Sequence, residues 1–274
     1  MEAASWDGAR WKAIGREAMG SVIRSVYGFL SRTVTERWAG SLHAGALVKG
    51  LYLQWMLGPR LRKAAGTAFD AGCGEQAQFA RLLARRFPAW RFVGMDLKIA
   101  AGERRLPNLL LCQGDLSRLP VAGPFDVIWS VDVLEHLEDA EACLRALAER
   151  LSPGGWFFLH VPSLRQHHFL RGVDLEYGWL GPPGAGDAHV WEGFEPEQLV
   201  AWLQKAGCQV LACRFTFGRP VTVLKEVFML AEARRIPGVG LTLFPFVVLA
   251  AWLERRFGPR SGNGLLLLAR KAAV

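Results

Sequence analysis

The sequence is poor in cysteine. Five are present, Cys73, Cys112, Cys143, Cys208 and Cys213. The number is odd and no Cys-x-x-Cys occurs. This speaks against a disulfide framework or a zinc ribbon and for reduced, buried thiols. No metal site is expected from these spacings. The stretch Met1–Lys12 has no apolar signal core, so a cytoplasmic location is expected. No long basic run and no recognised nucleic-acid motif accompanies the formal charge of +8. A nucleic-acid partner is therefore disfavoured, and an anionic membrane surface fits the charge better. Internal repeats and low-complexity tracts are also missing. With 51% hydrophobic and 21% charged residues over 274 positions, the chain has the means to build a large core. Nothing in the sequence sets the oligomeric state.

What is present is organised around Thr67–Gln76. This reads as a short buried strand, a glycine turn at Gly72 and Gly74, and a helix start. The helix that follows carries Phe79, Leu82, Leu83 and Phe87 on one face and stops before Pro88. Its N-terminus would aim free N–H groups at a ligand over the glycines. The spacing Gly72-x-Gly74-x-x-Ala77, with Asp96 downstream, formally fits a dinucleotide fingerprint and thus an NAD-type oxidoreductase. Asp70 opposes that reading, because a carboxylate at the strand end would repel a pyrophosphate. It suits a phosphate-free cofactor with an ammonium and a sulfonium, such as S-adenosylmethionine (SAM).

Strands and helices then alternate. Arg91–Asp96, Leu109–Asp115 and Phe125–Ser130 read as strands, with a short helix near 97–104 and a longer one over 138–151. Ser152–Gly155 reads as a turn, followed by a strand over Trp156–Val161. A helix over Glu195–Ala206 and strands over Cys208–Phe215 and Leu265–Arg270 complete the pattern. Apolar strands between helices imply a parallel sheet covered on both faces, with ligands outside the strands' carboxyl ends. Asp70, Asp96, Asp115 and Ser130 fall on that rim. Residues 1–66 are expected to be a helical extension, with Val22, Val26, Phe29 and Leu30 at helical spacing. Trp38, His43 and Tyr52 there could touch substrate, though their spacing does not show it. The Gly/Pro-rich connection 163–192 is expected to be a lid.

Ile236–Leu253 contains no charged residue and is flanked by Arg234-Arg235 and Arg255-Arg256. As a helix, eighteen residues would reach about 27 Å, marginal for crossing a bilayer. Pro237, Gly238, Gly240 and Pro245 interrupt it. Two readings stand: a hairpin or interfacial helix dipping into lipid, and a buried helical insertion.

The span 67–161 resembles the class I SAM-dependent methyltransferase family, in particular its small-molecule, ubiquinone-type branch. Phe69-Asp70-Ala71-Gly72-Cys73-Gly74 resembles the first motif of that family, Val93-Gly94-Met95-Asp96 the second strand, and Gln113–Pro120 the adenine-binding segment. Phe125–Leu137 resembles the fourth-strand motif and Leu151–Gly155 the turn before the fifth strand. Gln76 departs from the pattern, replacing a third glycine. The resemblance implies an α/β fold with a seven-stranded, mostly parallel Rossmann-like sheet whose last strand is antiparallel. The sheet domain would be 67–274, with a helical insertion over 217–261. The cofactor would be SAM, held by Asp70, Gly72, Cys73, Gly74, Asp96, Leu97, Asp115, Leu116 and Ser130. Asp96 would accept from the ribose diol, Asp115 from the adenine amino group, and Asp70 would balance the methionine's positive charge through water. The acceptor would be small or lipid-like, with O- or C-methylation favoured. No Asn-Pro-Pro-Tyr-like tetrapeptide follows the fourth strand, which disfavours nucleobase and glutamine N-methylation. Candidate bases are His136, His160, His167, His168 and His189. His189 is favoured, just before Trp191, and His136 sits in a motif at the cofactor edge. No carboxylate partner for any of them is identifiable. A catalytically silent partner protein with the same fold is the remaining alternative.

Overall fold

The computed structural model describes residues 43–62, 65–100, 106–170, 189–236 and 238–273. The expected helices within 1–42, most of the 163–192 connection and residues 101–105 lie outside that set.

Seven strands form one sheet: β1 (Thr67–Ala71), β2 (Arg91–Asp96), β3 (Leu109–Gln113), β4 (Phe125–Val131), β5 (Leu151–Pro162), β6 (Cys208–Thr216) and β7 (Gly264–Lys271). Their order is β3-β2-β1-β4-β5-β7-β6. The first five are parallel neighbours, while β7 runs antiparallel to both β5 and β6. The expected sheet is thus present. The order reverses between β1 and β4, which opens a crevice at their carboxyl ends.

Among the described residues the α-helices are α1 (Ala44–Leu61), α2 (Gln78–Arg86), α3 (Ala140–Glu149), α4 (Pro196–Lys205), α5 (Arg219–Ala233) and α6 (Val239–Phe257). Strand side chains alternate between two cores. Ala68, Phe158, Leu266 and Leu268 join α1, α2, α5 and α6 on one face. Phe69, Phe157, Leu159, Leu265 and Leu267 join α3 and α4 on the other. Each large apolar side chain fully buried in this way contributes about 2 kcal/mol. The start of α3 is fixed by Asp139, which accepts from the Ala142 N–H at 2.9 Å.

Three local expectations change. Residues 97–100 are not helical, because Asp96 accepts from the Lys98 N–H at 3.2 Å and bends the chain there. The turn over Ser152–Gly155 is absorbed into β5 as an irregularity: Leu151 pairs with Phe125, and pairing resumes at Trp156 with Val127. The apolar stretch before β7 is not a hairpin. Most of it lies in one helix, α6, which continues through Pro245. Val247, Ala250 and Ala251 pack into the core with Leu53 and Leu57 of α1. Phe246, Leu249, Trp252, Leu253 and Phe257 are exposed. The insertion is therefore half buried. Among the described residues no helix is long and apolar enough to cross a membrane.

One buried carboxylate ties the insertion down. Glu254 of α6 accepts from the Tyr52 hydroxyl at 2.9 Å and from the N–H groups of Phe217 and Gly218 at 3.0 and 2.7 Å. Those amides open α5, where a negative charge is favoured. Tyr52 is thus a packing residue of α1. His43 stands at the head of α1, edge-on to Phe228.

Candidate active site

The crevice where the order of the strands reverses is a cleft of about 610 Å³. Its walls come from the ends of β1, β2, β3 and β4. Gly72, Cys73 and Gly74 form one side, Asp96, Leu97, Asp115 and Leu116 the next, and Lys49, Asp132 and His136 the far end. The turn after β1 needs its glycines. Gly72 has φ +81°, and a Cβ there would lie 2.2 Å from a Val133 methyl. Gly74 has φ +71°, and a Cβ there would meet nothing within 4 Å, only open space.

Asp96 is the last residue of β2. One carboxylate oxygen takes the Gly74 N–H at 2.8 Å and the other the Lys98 N–H at 3.2 Å. It therefore braces the glycine turn, and both oxygens keep capacity for a ligand. Asp115 follows β3 and is held by the Ser117 N–H at 2.8 Å, a bond that lowers its pKa.

Two expected cofactor residues do not line the cleft. Asp70 is 1% exposed, and one of its carboxyl oxygens has no hydrogen-bond partner. Burial pushes its pKa well above the ordinary carboxylate value. It lies beneath the turn, so it does not meet a ligand's charge directly. Ser130 is also buried and donates to the Ala71 carbonyl at 3.0 Å, stapling β4 to β1. The remaining expected residues, Gly72, Cys73, Gly74, Asp96, Leu97, Asp115 and Leu116, share one cavity.

The far end holds a network that spacing alone did not reveal. Lys49 of α1 pairs with Asp132, and Asp132 meets His160 Nδ1 at 2.7 Å. His160 Nε2 in turn meets the Thr216 hydroxyl at 3.0 Å. Burial pushes the Asp132 pKa up, but Lys49 and His160 outweigh it and hold the carboxyl well below its usual range. Lys225 of α5 lies near this network, and burial, reinforced by Lys49, pulls its pKa down to about 8. His160 thus has a carboxylate partner after all. A signal did exist: Val131 pairs with His160 in register, so the next residue of the β4 end, Asp132, falls beside it. Asp132 takes a left-handed backbone, φ 54°, which turns the chain across the strand ends.

His136 lines the cleft, and His189 stands behind it, ring centres 4.7 Å apart and edge to face. Burial lowers the His189 pKa, with His136 adding to the effect. His167 and His168 belong elsewhere. The His167 backbone is clasped by the Asn263 side chain, and His168 faces Glu226 at 3.3 Å.

Residues 51–212, more than half of the chain, match a family model described as a methyltransferase domain. The chain belongs to the class I SAM-dependent methyltransferase family. This chain is 40% identical over 102 residues to trans-aconitate 2-methyltransferase from Deinococcus radiodurans, a match covering 36% of this chain and 38% of that protein. It is 38% identical over 91 residues to a ubiquinone biosynthesis O-methyltransferase from Xanthomonas axonopodis pv. citri, covering 32% and 37%. The matched part thus spans less than two fifths of either relative. Among solved structures, phosphoethanolamine N-methyltransferase 2 of Haemonchus contortus superposes with a TM-score of 0.57 at 17% identity, over 82% of this chain and 52% of that one. The [4+2]-cyclase SpnF superposes with a TM-score of 0.54 at 22% identity, over 84% and 82%. These two share the fold of this chain.

Proposed function

We propose that the chain binds SAM in this cleft and methylates a small acceptor, on oxygen in preference to carbon. One observation carries the reading: Asp96 and Asp115, after neighbouring strands, line a single cavity with the Gly72–Gly74 turn. The cavity fits the cofactor. Its open glycine side leaves room for a methionine tail against backbone, Asp96 has lone pairs for a ribose diol, and Asp115 has them for an adenine amino group. Bound SAM supplies an activated methyl on a sulfonium sulfur. The protein's share is alignment and desolvation.

The acceptor would enter at the far end, where Lys49, Asp132 and His136 converge. Lys49 favours an acceptor with an acidic oxygen. The names of the curated relatives, one acting on trans-aconitate and one in ubiquinone biosynthesis, agree with an oxyacid or a phenol. The Lys49–Asp132–His160–Thr216 network holds that end of the cleft rigid, and the His136–His189 pair handles the acceptor's proton. The exposed apolar face of α6, with Arg255 and Arg256 in its last turn, supports a second reading, in which a lipid-like acceptor is met at an anionic membrane surface.

SAM binding by calorimetry tests the first reading. Asp96→Ala, with its fold checked by circular dichroism, should lose about 2 kcal/mol of SAM affinity, roughly 30-fold, as a charge-assisted bond is removed. Binding of NADH and not SAM would overturn the proposal. Labelled SAM, incubated with a panel of carboxylates and phenols, should label one class. Co-sedimentation with anionic vesicles tests the second reading.

A further inference from the structure

The packing of α6 forms a second cavity that shares no lining residue with the SAM cleft. It is a groove of about 440 Å³ between the start of α5 and the second half of α6. Pro220 and Leu224 form one wall, and Phe246, Leu249, Leu253 and Phe257 the other. The α6 residues recur at intervals of three and four, so they make one stripe along the helix. From Phe246 to Phe257 that stripe runs about 16 Å. All four side chains are exposed, Phe257 by 76%. Contiguous apolar surface of this kind marks a binding site. One end of the groove is closed where Gly218 meets Pro259: a Cβ on that glycine would lie 2.8 Å from the proline Cβ. Positive charge gathers at this end. Arg219 and Arg260 are the chain neighbours of Gly218 and Pro259, and the Arg256 guanidinium lies 5.6 Å over the Phe257 ring. All three arginines are exposed, and among the described residues none of them is in an ion pair. Glu254 is the sole acid over residues 234–263. It is buried at the groove floor, its oxygens held by the Tyr52 hydroxyl and the Phe217 and Gly218 amides.

We infer that this groove binds the hydrocarbon chain of one dissolved anionic amphiphile, such as a fatty carboxylate, with the head group among Arg219, Arg256 and Arg260. The apolar stripe removes the chain from water, and guanidinium groups without acidic partners attract the anionic head. The volume suits a single chain. A methylene fills nearly the space of a water in the liquid, about 30 Å³, so about 14 methylenes fill the groove. The site goes beyond contact with a vesicle surface, because a concave groove with a charged end selects one molecule by the length of its chain and the sign of its head. It does not rest on the methyl-transfer reading.

Calorimetry on the full chain should show one fatty carboxylate bound per chain. From octanoate to hexadecanoate, each kept below its micelle concentration, affinity should rise about fourfold per added methylene and level off near about 14 carbons. Leu249→Asp with Leu253→Asp should abolish this binding, with circular dichroism and SAM affinity as in wild type. Arg256→Glu with Arg260→Glu should weaken dodecanoate about tenfold and leave the uncharged dodecyl maltoside unchanged. No saturable binding, or an affinity indifferent to chain length, would overturn the site. A chain that sediments with anionic vesicles but takes up no dissolved carboxylate would reduce the groove to a surface contact and overturn it too. So would a chain that takes up no carboxylate and forms a dimer broken by the two leucine substitutions, which would give the face to a second copy. SAM binding on the same samples reads the cleft separately, so either assignment can fail without the other.

Discussion

Asp70 shows how one buried carboxyl sets a pH dependence. Its ordinary value is 3.8, and burial raises it in the folded protein. Between these two values the unfolded chain has lost its proton while the native state keeps it. Folding is therefore favoured at low pH, and stability falls as pH rises through the folded value. Asp70→Asn removes this titration. Urea unfolding at about pH 5 and about pH 8 should show wild type losing stability over that interval while the variant changes less. Asp132 belongs to a different class, since its partners hold it ionised. Asp132→Asn should leave SAM affinity nearly intact and cut turnover by about 100-fold, the cost of misplacing the acceptor by an ångström. Equal losses in both would assign Asp132 to the cofactor instead. At this scale the sequence was legible at the ends of neighbouring strands: Asp96 closes β2, Asp115 lies just past β3, and both line the cleft. Asp70 and Ser130 sit one residue before their strand ends, where side chains point beneath the turn into the core and not into the cleft.

The helical elements depend on a few polar anchors. Glu254 joins α6, α1 and the start of α5 through three hydrogen bonds. Glu254→Ala would leave a tyrosine hydroxyl and two amides without an acceptor, at about 1–3 kcal/mol for each that water cannot reach. Thermal melts should show a drop of several degrees, larger than for Tyr52→Phe, which removes only one partner. The sheet was readable in advance because its strands are continuous apolar runs between helices. The insertion was not. A run of eighteen uncharged residues looks alike whether it faces lipid or a neighbouring helix, and here the period of the helix divides it into a packed side and an open side. The described residues 97–100 of the expected helix after β2 are not helical because Asp96 captures the backbone of the residues that would have begun it.

For the whole molecule, charge and exposed apolar surface meet on one side. α6 presents Phe246, Leu249, Trp252 and Leu253 to solvent, with Arg255 and Arg256 at its end. If that face serves the acceptor, Phe246→Asp with Trp252→Asp should abolish sedimentation with anionic vesicles and leave SAM affinity unchanged. Raising the salt should weaken the wild-type interaction, because the screening length shortens to a few ångströms near 1 M. Loss of SAM binding in the same variant would mean the face is structural.

The position of β7 has a consequence for biosynthesis. It is the last strand of the sheet, yet it fills the slot between β5 and β6. A nascent chain still short of Gly264 has a gap in its sheet, with two raw edges able to recruit other polypeptides. Native closure must therefore wait for β7 to leave the ribosome, and a fragment stopped at residue 262 should collect in inclusion bodies, not in the clarified lysate.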